Sequence, residues 1–405
     1  MKKIIMHIDV NNAFLSWSAC DMLKHGYKID IRNINSIIGG DEKQRSGIVL
    51  AKSENAKKFG IKTAETIYSA KKKCNNLQVF LPDFRVYSHY SNAMYKILCD
   101  YSDKIERFSI DECFLDYTYS QKLFGTADEC AKKISNRIYT ELGFTVNVGI
   151  GDNKLLAKMA SDLEKPNKIC TIYKNEIKDK MWILPIEELF MTGRKSVPKL
   201  HNLNIFTIGD LANFDLKILK KTFGKMGMQM YEYANGIDDS DVDNSRQEYK
   251  GIGNSITTNV DILNKSIAYN ILLSISELVG KRLRAENKYT NVINVQLKSA
   301  DFVTQSHQRK LLNSTNITKE IYNVAKELFD EFWNGQPIRS FGIRLDELQD
   351  DKDGQISFLA DERLKEKSNK LDKVIDNTRN KYGNNIIKRA VFLDNVIPNM
   401  LNKEK

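Results

Sequence analysis

The chain reads MHIDVNNAF at residues 6–14 and SIDE at residues 109–112, and these two stretches decide the fold. The first is an apolar run that ends in Asp9 and continues into a helix-like stretch, which predicts a buried strand leading to a strand–helix junction. The second interrupts two short strands at Asp111 and Glu112, where we expect a tight turn. All three acids are therefore predicted to lie at strand ends.

Acids from distant parts of a chain can form a metal site where their strands meet. Two Mg²⁺ ions held about 3.5–4 Å apart activate an attacking hydroxyl and stabilise a leaving pyrophosphate, provided that several carboxylates converge. Adjacent side chains of a regular strand face opposite ways, so Asp111 and Glu112 can share a site with Asp9 only at a sharp turn. An isolated Asp-Glu pair is more often an exposed turn, so these residues alone leave both interpretations open.

The composition describes a multidomain protein with a basic surface. At roughly 100–200 residues per domain, the 405 residues divide into about two to four domains. The formal net charge of +10 suits a nucleic acid partner, but it also fits a merely solvated lysine-rich surface. No apolar stretch approaches the roughly 18 residues of a membrane span, so we expect no membrane partner. The six cysteines are scattered without a C-x-x-C pair, which favours a reducing, cytoplasmic location.

The pattern changes along the chain. From about residue 178 to residue 236 the periodicity is helical, and the acidic segment 237–248 that follows is too polar for a core and predicts a flexible connector. Alternating runs at residues 292–297 and 340–345, with helical stretches between them, predict a final α+β domain. The charged region after Leu348 predicts a tail.

Seven motifs resemble, in the same order, those of the Y-family DNA polymerases, and the bacterial DNA polymerase IV (DinB-type) branch is the most similar. The motifs span most of the chain: DVNNAF at 9–14, GIVLA at 47–51, KFGI at 58–61, SIDE at 109–112, VGIG at 148–151, KPN at 165–167 and GIGNS at 251–255. Each motif alone is a weak signal, whereas the ordered set is specific.

The resemblance implies an α+β multidomain fold, a right-hand polymerase with palm, small fingers, helical thumb and α+β little-finger domain. The implied boundaries are residues 1–10 and 77–165 for the palm, 11–76 for the fingers, 166–236 for the thumb with a helix-hairpin-helix, 237–249 for a linker, 250–348 for the little finger and 349–405 for a C-terminal tail with a clamp-binding peptide.

The resemblance also implies the roles of the acidic site. Asp9 and Asp111 match metal ligands, Glu112 matches the third catalytic acid and a further metal ligand, and the backbone carbonyl of Val10 is an expected extra ligand. The cofactor implied is Mg²⁺, with two ions in the active site. Phe14 matches a steric gate that occupies the space of a ribose 2′-hydroxyl, although a plain core aromatic on an amphipathic helix is the alternative.

Two lysines are expected to bind the incoming triphosphate. Lys165 matches a lysine with this role, and without the resemblance it would be interpreted as a surface residue. Where the family usually has Ser-Tyr-Glu-Ala-Arg, this chain has SENAK at residues 53–57. An ionised Glu54 cannot donate to phosphate, and Lys57 supplies charge without the planar fork of arginine. We therefore expect the fingers to bind the triphosphate more weakly than the usual family pattern would.

DNA contact is expected from two regions. The stretches LFMTGRKS at 189–196 and LNIFTIGDL at 203–211 resemble a helix-hairpin-helix, which offers backbone amides to phosphates, although simple helix packing remains the alternative. The family usually has a second glycine near Thr192. In the final domain, Lys298, Arg339 and Arg344 are candidates for contact with the duplex backbone.

A short peptide near the C-terminus resembles the segment by which bacterial polymerases bind the sliding clamp. It consists of Gln355, Ile356, Ser357, Phe358 and Leu359 in a polar region, where exposed apolar residues need an explanation. Such a peptide would tether the enzyme near primer ends. A buried terminal strand is the alternative.

The predicted function is template-directed DNA synthesis that adds deoxynucleotides to a primer 3′ end, with low-fidelity translesion synthesis implied by the family. The expected partners are primer-template DNA, deoxynucleoside triphosphates and the β sliding clamp, and the expected state is a monomer. A non-catalytic DNA-binding or clamp-binding accessory protein is one alternative. A palm-fold nucleotide cyclase is another, suggested by IGGDE at residues 38–42, but Lys43 replaces the phenylalanine that cyclases have next.

Overall fold

The computed structural model describes residues 3–41, 47–245, 249–350 and 362–392. The chain forms two compact units, residues 1–40 with 48–246, and residues 41–47 with 247–405. Among the described residues, no helix is both long enough and apolar enough to cross a membrane.

The first unit mixes strands and helices. Its strands are β1 (Ile5–Val10), β2 (Ser36–Gly39), β3 (Val49–Lys52), β4 (Gln78–Phe80), β5 (Ile105–Arg107), β6 (Glu112–Asp116), β7 (Val146–Gly151) and β8 (Ile169–Ile172). Its α-helices are α1 (Ala13–Lys24), α2 (Glu54–Lys58), α3 (Ile67–Lys73), α4 (Phe84–Cys99), α5 (Gln121–Phe124), α6 (Ala127–Leu142), α7 (Lys154–Leu163), α8 (Val197–His201), α9 (Ile208–Ala212), α10 (Leu216–Phe223) and α11 (Lys225–Ala234).

The predicted first strand, β1, is the middle strand of a five-stranded sheet with the order β5-β6-β1-β7-β8. It pairs antiparallel with β6 and with β7, and all of its residues are buried. Because side chains alternate along a strand, Met6, Ile8 and Val10 share one face and belong to the main core, together with residues of α1, α4 and α6. His7 and Asp9 point to the other face.

Helix α7 covers this other face and lies unusually close to it. Gly149 and Gly151 of β7 make the approach possible: a Cβ atom at residue 149 would lie 2.0 Å from the carbonyl oxygen of Ala157 and 2.3 Å from the amide nitrogen of Ser161. At residue 151 a Cβ would lie 2.7 Å from the amide nitrogen of Ala157. Backbone atoms of a helix cannot move aside singly, so the glycines fix the depth of α7 on the sheet.

A smaller sheet has the order β3-β2-β4, with β2 and β3 in the range predicted for the fingers and β4 at the start of the range predicted for the palm. β2 and β3 are antiparallel, and β4, which the sequence did not predict, adds in parallel to β2. Helices α2 and α3 contribute to a separate small core that contains Ile37, Val49 and Ile67.

The region predicted to be helical has four short helices, α8 to α11, around a core that they share with apolar residues of α7 such as Leu155 and Met159. A π-helical turn at Ile177–Met181 and a 3₁₀ turn at Ile186–Glu188 precede them. At Met191, which follows these turns, the backbone has φ of 67°, a conformation that favours glycine. Met191 is adjacent to Thr192, near which the family pattern has a second glycine.

The acidic segment after Gly236 differs from the predicted flexible connector, because its described part lies against the five-stranded sheet. Val242 is only 7% exposed and packs with Ile5 and Phe114. Asp238 accepts a hydrogen bond from the amide of Leu155 at 3.0 Å, and Asp241 pairs with Lys3 at 2.7 Å. The acids that made the segment look unsuited to packing are the groups that attach it.

The second unit is the predicted α+β domain. It contains β9 (Gly251–Ile262), α12 (Lys265–Ala285), β10 (Lys288–Ser299), β11 (Thr304–Thr315), α13 (Thr318–Phe332), β12 (Ile338–Asp350) and α14 (Glu362–Tyr382). The antiparallel sheet has the order β11-β10-β12-β9, and α12 and α13 pack on it through an apolar core.

Residues 362–392, which the sequence predicted to belong to a tail, are folded onto α12 and α13. Arg284 of α12 donates to Asp376 at 2.6 Å and to Asp372 at 3.3 Å. Glu277 of α12, also buried, pairs with Arg379 of α14 at 3.3 Å. The hydrophobic pattern did not predict this packing, because buried ion pairs hold α14. In the sequence, the same charged residues look like a solvated surface.

The close approach of α7 predicts the effect of one methyl group. Gly149→Ala should destabilise the first unit by about 3 kcal/mol. The added methyl group would clash with backbone atoms of α7, and rotation of a side chain cannot relieve such a clash. Thermal denaturation followed by circular dichroism measures this. Gly193→Ala is the matched control, since a Cβ there meets no described atom within 4 Å, and it should leave the transition unchanged. Equal effects of the two substitutions would contradict the interpretation.

Candidate active site

The three predicted acids meet at one end of the five-stranded sheet. Asp9 near the end of β1 lies directly opposite Glu112, the first residue of β6. Asp111 is the last residue of the turn between β5 and β6, which is closed by the amides of Phe108 and Ser109, both donating to the carbonyl of Glu112. The amide of Val10 donates to the carbonyl of Asp111 at 3.1 Å. The predicted tight turn therefore exists and joins the end of β1.

Each carboxylate has a partner within the protein. Asp9 pairs with Lys165, and Glu112 pairs with Lys158 at 2.9 Å. Asp111 accepts a hydrogen bond from the hydroxyl of Ser109 at 2.6 Å. The side chains of Asp9 and Glu112 are 9% and 18% exposed, so their charges are largely removed from water. Partners of opposite charge are what permit two acids to be buried side by side.

Burial and neighbouring charges shift the pKa values of Glu112 and Lys158. Burial raises the pKa of the Glu112 carboxyl, and the nearby Asp9 and Asp111 raise it further against the opposing effect of Lys158. Burial works against the charge on Lys158, but Asp162, Glu112 and Asp9 outweigh it, so the pKa of Lys158 is raised. The mutual effect of three acids defines a place where added positive charge is stabilised.

His7 lies under the acids, on the same face of β1 as Asp9, and is fully buried. Its Nδ1 is 2.8 Å from the hydroxyl oxygen of Ser161 on α7. Burial, together with Lys158 and Lys165, holds its pKa well below the usual value, so the ring is neutral. The sequence did not predict this residue. The alternation of β1, which places residues 7 and 9 on one face, is the signal that would have found it.

The donor set fits a hard divalent cation, because carboxylate oxygens are the ligands that Mg²⁺ prefers. Among the described residues, no three Asp, Glu, His or Cys side chains are already arranged around a common point as a metal site. The lysine partners of Asp9 and Glu112 explain this, since the carboxylates are turned toward ammonium groups. The Val10 carbonyl stays a predicted ligand, and the contact given above involves the amide of Val10.

Phe14 lies in the first turn of α1, half-buried against other aromatic rings. It stacks on Tyr87 with ring centroids 4.6 Å apart and meets Phe84 edge to face at 6.2 Å. The residue before α1, Asn12, has a left-handed backbone and donates from its side chain to the carbonyl of Lys52 at 2.6 Å. Packing of Phe14 in the core is thus observed, while its role as a steric gate stays a prediction.

On the fingers side, the cation expected to bind triphosphate is paired with its neighbour. The ammonium of Lys57 is 3.7 Å from the carboxylate of Glu54, and both side chains are exposed. Helix α2 begins after Ser53, whose hydroxyl accepts from the amide of Ala56 at 3.0 Å. An anion that approaches Lys57 must therefore compete with Glu54.

Comparison with known proteins gives the class to which this fold and site belong. The model of the impB/mucB/samB family matches residues 8–162, that of the family's C-terminal domain matches residues 249–358, and one described as DNA polymerase-iota, thumb domain, matches residues 191–238. A Y-family DNA polymerase chimera of known structure has a TM-score of 0.75 and 24% identity, covering 86% of this chain and all of that one. The fold is thus that of a right-hand DNA polymerase.

Full-length relatives narrow the class. DNA polymerase IV of Clostridium acetobutylicum is 48% identical over 97% of this chain and 99% of its own length. DNA polymerase IV of Acetivibrio thermocellus and DNA polymerase IV 2 of Bacillus subtilis are each 36% identical over 97% of this chain, covering 98% and 95% of their own lengths. The chain belongs to the Y family of DNA-directed DNA polymerases, which also removes the support for a nucleotide cyclase.

The pair formed by Glu54 and Lys57 makes a kinetic prediction. A Glu54→Tyr, Lys57→Arg double variant should lower the KM for deoxynucleotide by about 3- to 10-fold, because a neutral hydroxyl and a planar guanidinium donate to phosphate where Glu54 cannot. Steady-state primer extension measures the KM. Lys58→Arg, a change at another exposed lysine of α2, is the control and should leave the KM unchanged. No gain in nucleotide affinity in the double variant would reject the explanation.

Proposed function

We propose that this polymerase joins deoxynucleotides to a primer at the site formed by Asp9, Asp111 and Glu112. The observation that carries the proposal is the register of β1 and β6, which sets Asp9 opposite Glu112, with Asp111 in the adjoining turn. Y-family DNA polymerases depend on divalent metal, and we assign Asp9, Asp111, Glu112 and the Val10 carbonyl as the groups that hold two Mg²⁺ ions. Bound there, the ions supply activation of the primer hydroxyl and charge stabilisation of the pyrophosphate.

The residues around the acids have separate tasks in this proposal. Lys165 is 42% exposed at the rim of the site, so its ammonium group can reach a triphosphate while it contacts Asp9. Phe14 is held by its stack on Tyr87, and a ring fixed in this way can exclude a 2′-hydroxyl by contact alone. Lys57 adds a second, weaker phosphate contact from α2, because Glu54 competes for its charge.

We further propose that primer-template DNA binds along the basic surfaces of both units. In the second unit, Arg339 and Lys298 lie over the ring of Phe302, 4.7 Å and 5.3 Å from its centroid, and Arg344, which is exposed, pairs with Asp346 at 2.7 Å. Arginine and lysine side chains bind DNA phosphates without reading bases. The affinity of the protein for DNA should therefore fall steeply as the salt concentration rises. The helical hairpin around Met191 is assigned to the thumb with the same task.

Low-fidelity synthesis past damaged template bases is part of the proposal. The small sheet of β2, β3 and β4 has strands of three or four residues each, and it packs against α1 and the short helices α2 and α3. A lobe of this size presses less surface against the nascent base pair than a large one, so it rejects distorted pairs less strongly. The protein is proposed to act as a monomer.

Primer extension with a defined template tests the proposed site. Wild-type protein with Mg²⁺ should extend the primer, and Asp111→Ala should lower the rate by at least about 1,000-fold through loss of charge stabilisation in the transition state. Asp116→Ala is the matched control: it removes an acid at the far end of β6, and the variant should keep near-normal activity. Equal activity of Asp111→Ala and wild type would contradict the assignment.

The same assay with ribonucleotides tests Phe14, because Phe14→Ala should allow the enzyme to incorporate them.

Attachment to the β sliding clamp through Gln355, Ile356, Ser357, Phe358 and Leu359 is proposed on the peptide's resemblance alone, because these residues lie outside the described part of the chain. A tether of this kind raises the local concentration of enzyme at primer ends without changing the chemical step. Deletion of residues 355–359 should abolish stimulation by the clamp and leave synthesis without the clamp intact. Full stimulation after the deletion would reject the tether.

A further inference from the structure

Asp162 of α7 lies between the two lysines that hold the acids of the proposed site. Its Oδ2 is 3.3 Å from the ammonium of Lys158, four residues earlier, and its Oδ1 is 2.8 Å from that of Lys165, three residues later. Lys158 in turn contacts Glu112, and Lys165 contacts Asp9. Five charged groups therefore form one continuous chain, in which Asp162 contacts both lysines but neither of the other acids.

Lys158 needs a negative partner at all times, whereas Lys165, with 42% of its side chain exposed, is partly solvated. The Lys158 side chain is only 10% exposed, and α7 cannot withdraw it because Gly149 fixes the helix close to the sheet. Breaking a buried ion pair by removing one partner leaves an uncompensated charge, which is strongly unfavourable. If Asp9 and Glu112 turned toward a divalent cation, both lysines would lose those partners. Asp162 is then the acceptor that each lysine already contacts.

We propose that Asp162 is a positioning residue that keeps Lys158 and Lys165 paired when Asp9 and Glu112 bind divalent cations. The inference rests on the proposed function and adds to it a group that neither the acidic motif nor the lysine motif contains. Asp162 lowers the cost of exchanging an ammonium partner for a metal ion, and it holds the ammonium of Lys165 at the rim, where the triphosphate arrives. A purely structural alternative is an ordinary pair at i,i+4 spacing, which contributes little.

Binding of Mn²⁺ to the full-length protein, without DNA or nucleotide, separates these explanations. The electron paramagnetic resonance signal of free Mn²⁺ gives the fraction bound. Asp162→Asn should weaken Mn²⁺ binding by about 3- to 10-fold, and Asp162→Glu should restore most of it. Lys158→Met should act in the opposite direction, because it removes the ammonium that competes for Glu112. Glu141→Gln, which removes a surface acid paired with Arg137 at i,i+4 spacing, is the control and should change nothing.

A double-mutant cycle tests whether Asp162 acts through the lysines. In a Lys158→Met background the effect of Asp162→Asn on Mn²⁺ binding should shrink, since one of its two contacts is already lost. In primer extension, Asp162→Asn should raise the KM for nucleotide and the Mg²⁺ requirement more than it lowers kcat at saturation. Circular dichroism checks folding, and Asp162→Ser replaces Asp162→Asn if the latter does not fold.

Two results would overturn the proposal: unchanged Mn²⁺ affinity in Asp162→Asn, or an equal loss in the wild-type and Lys158→Met backgrounds. The second would mean that the carboxylate acts on the ion directly. Either result, together with normal primer extension, leaves the proposed function standing. Absence of primer extension by the wild type would refute the proposed function, whereas the Mn²⁺ measurement would still report on Asp162.

Discussion

The close packing of α7 on β1 and β7 is the constraint on which the site depends. The helix reaches its position because Gly149 and Gly151 have no side chains, and its backbone fills the space that a methyl group would need. From that depth, Lys158 and Ser161 reach Glu112 and His7. A helix even slightly farther from the sheet would leave the acids with water as their main partner. The packing of the α7 backbone on the sheet therefore determines which ion pairs balance the charge of the site.

Charged side chains help to connect the parts of this protein that the sequence pattern separates. Asp241 and Asp238 attach the acidic segment to the first unit, and Arg284 attaches α14 to the second. Apolar patterning describes each sheet and its helices, but it carries no information on which acid meets which base. The buried pairs of Arg284 cost desolvation energy, which the several hydrogen bonds of its guanidinium group offset.

Local patterns in the sequence predicted the elements that carry the acids. The buried β1 and the turn before Glu112 were both expected, because an apolar run that ends in an acid and a break between two strands each leave a readable signal. β4 was missed, since three residues are too few for a period. His7 and Asp162 were missed for a different reason: their importance arises from neighbours brought close by the tertiary fold.

Docking of α14 changes the geometry available to residues 351–361. A peptide at a free chain end can swing through a full sphere, with a radius that grows with each added residue. Here both neighbours in the chain, Asp350 at the end of β12 and Glu362 at the start of α14, belong to the same folded unit. The distance from either anchor to any residue between them is therefore limited to roughly 3.5 Å per residue of chain. Trimming the chain after residue 361 would remove one of the two anchors, and with it one of the two limits on where a binding partner can be reached.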